Sequence, residues 1–125
     1  MEEIQKWIFE DIITEIKKIG FSIEAAPLAY LHAITSPKSK VIICNPDTVS
    51  LFELSEEKVH AEYNHHRRFK EYDVLNLDEQ ESHQLSFHYL LNRWQWYEGC
   101  QDWLKFVMAT GTPSYFKDEI ITAFT

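Results

Sequence analysis

Glycine is scarce in this chain, with three in 125 residues, and their spacing offers no Gly-rich loop of the kind that wraps phosphate groups. A nucleotide cradle is therefore not expected. Cysteine is equally sparse: Cys44 and Cys100 are too few and too far apart for a disulfide framework, and they cannot make a four-cysteine zinc site. They read as two buried free thiols in a reducing cytosol. No apolar run approaches the roughly 18 residues that signal a membrane helix, and Met1-Glu2-Glu3 lacks a basic leader, so the expected location is cytoplasmic. Basic residues are in deficit, 12 against 20 acidic ones, and the formal net charge of −8 opposes nucleic-acid backbones and anionic membranes alike. Neither is an expected partner, whereas a protein is. Gly-x-Ser-x-Gly elbows and Cys-His nucleophile pairs are missing as well.

What is present suffices for one core: 45% of the residues are hydrophobic and 14% aromatic, in a chain about one domain long. From Glu3 to Ile19, Ile4, Trp7, Ile8, Ile12, Ile13 and Ile16 recur at three- and four-residue steps, with Gly20 as the cap of an amphipathic helix. Short β-rich pieces follow, Leu28 to Thr35 and Lys40 to Cys44, parted by the turn residues Ser36-Pro37-Lys38-Ser39. After the break at Asn45-Pro46-Asp47, Ser55 is a candidate N-cap for a helix from about Glu56 to Phe69. Asp78-x-x-Glu81 resembles a capping box opening a long helix toward Gly99, in which Leu90, Leu91 and Trp94 pack and Trp96 is a candidate exposed anchor. Two short helices close the chain, Gln101 to Ala109 and Pro113 to Phe124. The expected fold class is α+β: a single, mostly helical domain spanning residues 1–125, with a small antiparallel sheet.

The chemistry-bearing stretch is Val59-His60-Ala61-Glu62-Tyr63-Asn64-His65-His66. In His-Glu-x-x-His, two imidazoles one helical turn apart hold zinc while the intervening carboxylate acts on bound water. Glu62 and His65 keep that step, Ala61 stands where the first histidine belongs, and His60 comes one position early. Glu62 is thus the candidate catalytic base and His65 a candidate ligand. Glu81 is the candidate third ligand from the next helix, and His60 a substitute able to swing in. Ala61 leaves two firm ligands where a retained catalytic ion ordinarily needs three, so a bound metal is not the primary expectation. A face rich in His and Glu is also what a solvated helix presents.

The order of parts resembles the ImmA/IrrE family of zinc-dependent peptidases, especially the short forms of phages and mobile elements. Lys40-Val-Ile-Ile-Cys-Asn45 is similar to the family's strand followed by Asn, and Ala61-Glu62-Tyr63-Asn64-His65-His66 to its motif helix. Gln80-Glu81 followed by Phe87 resembles the helix carrying the third ligand, and residues 103–116 resemble the closing helical pair. The resemblance implies a zincin-like fold, zinc as cofactor, Glu62 as general base and His65 and Glu81 as ligands, with the remaining ligand position falling on Ala61. It further implies action on DNA-binding repressors. With Ala61 in that place, the expectation is a regulatory protein with a degenerate site that binds a repressor-like partner. A second reading is a small acidic inhibitor or immunity-type protein covering a basic surface such as a nuclease, for which the acidic runs Glu56-Glu57 and Asp78 to Glu81 speak.

Overall fold

The computed structural model describes the backbone of residues 3–63 and 72–125 and the side chains of 3–62 and 79–125. Helix α1 (Glu3–Lys18) buries Ile8, Ile12 and Ile16 completely, the stripe that four-residue spacing requires. It ends as a Schellman cap: the Gly20 N–H donates to the Lys17 carbonyl, the Phe21 N–H to that of Ile16, and Gly20 takes φ of 90°.

Three strands follow, β1 (Ser22–Ala25), β2 (Ala33–Ser36) and β3 (Val41–Cys44), in the order β1-β3-β2. β2 and β3 form the expected antiparallel hairpin, but β1 lies parallel to β3, so the sheet is mixed and the expectation of an antiparallel sheet is corrected. β1 escaped the sequence reading because its four residues are largely exposed and carry a single large apolar residue, Ile23, opposite Ile42. The stretch expected as strand from Leu28 becomes strand only at Ala33. Before that, Asn45 satisfies the loop without a ladder, donating from its backbone to the His32 carbonyl at 2.9 Å and from Nδ2 to the Leu28 carbonyl at 3.3 Å.

Helix α2 (Leu51–Tyr63) starts a turn earlier than Ser55 would place it. Ser50 and Glu53 form a reciprocal capping box, Glu53 N–H to Ser50 Oγ at 3.0 Å and Ser50 N–H to Glu53 Oε1 at 2.9 Å. Leu51, Phe52 and Leu54 are drawn into the core, which makes Ser55 a buried mid-helix residue. Helix α3 (Tyr72–Trp96) likewise begins before Asp78, so Asp78 and Glu81 lie inside it and open nothing.

The C-terminal pair appears as expected. Helix α4 (Trp103–Thr110) is capped by Asp102 and closed by Gly111 at φ 76°, and a 3-10 turn (Ser114–Phe116) leads into α5 (Lys117–Ala123). Leu90 and Trp94 are core residues, with the Trp94 indole N–H donating to the Cys100 carbonyl at 2.9 Å, while Trp96 is exposed. Both cysteines are free, and Cys44 is buried, but Cys100 is exposed in the turn after α3, against expectation. Among the described residues no helix is long and apolar enough to cross a membrane.

Candidate metal centre between α2 and α3

Helices α2 and α3 pack against each other, and side chains four apart on each meet in antiparallel register. Glu56 of α2 contacts His83 of α3 through Oε2 and Nδ1, and one turn on, His60 Nε2 stands 3.8 Å from Glu79 Oε2. A step of four along α2 is matched by a step of four back along α3. At one end of this face the pattern turns apolar: Phe52, four before Glu56, and Phe87, four after His83, both pack on Phe116, with centroids 6.2 Å and 4.6 Å away. Phe116 thus plugs the dry end of the interface and sets Tyr115 beside His83, ring centroids 5.9 Å apart.

One ligand atom from each of Glu56, Glu79 and His83 lies within 4.8 Å of the others, and all three residues are partly buried. Ligands around one zinc-sized ion, each at about 2.0–2.2 Å, stand roughly 3.5 Å apart, so modest side-chain rotation closes this set on a cation. Two carboxylates and an imidazole suit zinc and its neighbours, and three protein ligands leave a coordination position open. The chemistry of the donors fits the cation.

The electrostatics point the same way. Burial, then the nearby charges of Glu79 and Glu53, push the Glu56 carboxyl up to about 8. A cation bound there would relieve the crowding of carboxylates. Glu53 is engaged by His32 Nδ1 at 2.8 Å, so three carboxylate–imidazole pairs line this side of α2. The Tyr115 phenol is raised by burial, then by Glu56 and Glu79, which places it within electrostatic reach of both.

The structure distributes the sequence candidates unevenly. His60 is at the centre's rim, against Glu79. Glu62 and Glu81 are both exposed, and among the described residues they do not form a ligand set with His60. The helix explains this: each is two residues from a site residue, His60 or Glu79, hence about 200° around the axis. Glu62 instead approaches Lys58 Nζ at 3.4 Å and lines a separate hollow of about 300 Å³ with His88 and Tyr89. His65 lies outside the described residues. Ala61, the supposed missing ligand, is a member of the hydrophobic core.

The sequence carried a signal for the observed set. Glu56-Glu57-Lys58-Val59-His60 has the His-Glu-x-x-His spacing, five residues upstream of Ala61-Glu62-x-x-His65, with a carboxylate for the first imidazole. Glu79-x-x-x-His83 supplies the matching pair on α3. Glu57 projects from the adjoining face of α2 toward β2, where Thr35 Oγ1 donates to its Oε1 at 2.5 Å. Comparison of the chain with protein-family models, with curated proteins and with solved structures finds no match.

Proposed function

We propose that this chain binds a zinc-class divalent cation between α2 and α3 through Glu56, Glu79 and His83, with His60 at the rim, and acts as a regulatory protein on a repressor-type protein partner. The observation that carries the metal reading is the convergence of those three donors, from two helices in matched register, with an imidazole among them. The partner class rests on the resemblance to ImmA/IrrE peptidases. Glu56-Glu57-x-x-His60 has the motif's spacing, but Glu57 faces Thr35 of β2, so no general base is assigned to the Glu56, Glu79 and His83 centre. Bound there, a zinc-class ion supplies a Lewis acid and a water of lowered pKa, the means of amide hydrolysis.

Metal analysis and cobalt or zinc titration of the purified chain test this. Near-stoichiometric metal is expected in the wild type, lost in Glu79→Ala and His83→Ala and retained in Glu62→Ala and Glu81→Ala. A wild type that takes up no metal, or one whose uptake depends on Glu81, sinks the assignment. The acidic-inhibitor reading keeps one observation in its favour, the net charge of −8. It predicts capture of a strongly basic partner with steep salt dependence, whereas a repressor-like partner captured with shallow salt dependence favours the first reading.

A further inference from the structure

Tyr115, on the 3-10 turn that follows α4, occupies a position with no structural need for a phenol. Its neighbour Phe116 does the packing: it is 2% exposed and nearly parallel to Phe87, with 13° between the ring planes. Tyr115 itself is 64% exposed, yet its ring is confined on two sides, by His83 at 5.9 Å and by Phe116 at 4.9 Å. The backbone beneath is equally well held. Pro113 opens the 3-10 turn, and the buried hydroxyls of Thr110 and Thr112 share a hydrogen bond of 2.7 Å just upstream. An exposed aromatic on so firmly seated a turn is thus held beside His83 of the Glu56, Glu79 and His83 cluster.

We infer that Tyr115 is a ligand-binding residue of this centre, its phenol O–H donating to the anionic oxygen of a carboxylate-like or carbonyl-derived group held at the metal. This rests on the proposed metal site and adds to it a neutral hydrogen-bond donor. Glu56 and Glu79 are acceptors when ionised, and an oxygen-bearing ligand brought between them needs a donor to offset their charge. At neutral pH a phenol is protonated and offers that donor without adding a charge.

The test uses the cobalt-loaded full chain and acetohydroxamate, a small oxygen chelator, followed through the visible cobalt spectrum. Tyr115→Phe preserves the ring against His83 and Phe116 and removes only the hydroxyl. Its cobalt affinity is expected to stay within about twofold of wild type while its acetohydroxamate affinity falls roughly tenfold, the usual loss for a hydrogen bond to a charged oxygen. Equal hydroxamate affinities in the two proteins, with cobalt bound normally, would refute the role of Tyr115 and leave the metal site standing. Failure of the wild type to bind cobalt would remove the metal site and Tyr115's role together. A parallel fall in both affinities would mark the residue as structural and likewise overturn the inference.

Discussion

Glu56→Gln is the most revealing single change, because it separates the cost of this centre to the fold from its use. In the folded chain the Glu56 carboxyl titrates near 8 instead of its ordinary 4.5, so the folded state holds this proton more tightly than the unfolded state does. The linked stability is complete below about pH 4.5 and is lost as pH rises through 8. At about 1.4 kcal/mol for each tenfold change in proton affinity, the loss reaches ~5 kcal/mol when the group is fully ionised and ~3 kcal/mol at pH 7. The side chain is 17% exposed, so solvent screening trims these figures only slightly. Glutamine keeps the shape and a hydrogen bond to His83 and carries no charge. Urea unfolding of the chelator-treated proteins, followed by circular dichroism, should find wild type and variant within about 1 kcal/mol at pH 5, and the variant more stable by roughly 3–5 kcal/mol at pH 8.5. Zinc should narrow the gap: a hundredfold excess over the dissociation constant adds about 3 kcal/mol to the wild type and little to Glu56→Gln. Parallel pH profiles, or a variant less stable than wild type at pH 8.5, would refute the reasoning.

Because Glu56 must give up its proton, zinc affinity measured by competition with a chromophoric chelator should rise between pH 6 and 8, and a flat profile would contradict proton displacement. Phe116→Ala, which opens the dry end of the helix pair, should cost about 3–5 kcal/mol in denaturant unfolding. Gly111→Ala should cost at least about 1–2 kcal/mol from its backbone conformation, with a further penalty because the added Cβ lies 2.6 Å from Ser50 Cβ; a neutral melting temperature would show that the cap relaxes. Lys58 is buried, with Glu62 at 3.4 Å and the Tyr89 ring centroid at 4.1 Å, but Glu62 keeps its solvent access when the amine is removed. Lys58→Met is therefore expected to change stability by less than about 1 kcal/mol, and a loss above 3 kcal/mol would mean that the ion pair matters more than its geometry suggests.

Where local chemistry decides an element, the residues announced it. The isoleucine stripe and Gly20 define α1, and Pro37 with its neighbours marks the β2–β3 turn. Legibility failed where an element depends on a distant neighbour. β1 becomes a strand because β3 is there to pair with it, and α2 starts at Leu51 because its first turn is buried. The candidate site shows the same division: its residue types are visible in the sequence, but which of them face one another is not. A cap at Ser55 puts Glu56-Glu57 in the first turn, whereas the cap formed by Ser50 with Glu53 moves Glu56 to the middle of the helix.

The amino-acid order alone determined a single acidic, mostly helical α+β domain, and placed on it enough glutamate and histidine at helical spacing to hold a cation. Which of those side chains meet was decided only by the packing of α2 on α3. A four-residue period brings residues onto one face of a helix but does not say toward what that face turns. The contacts of Phe52, Phe87 and Phe116 set that rotation, turning Glu56, Glu79 and His83 toward one another and Glu62 and Glu81 out to solvent.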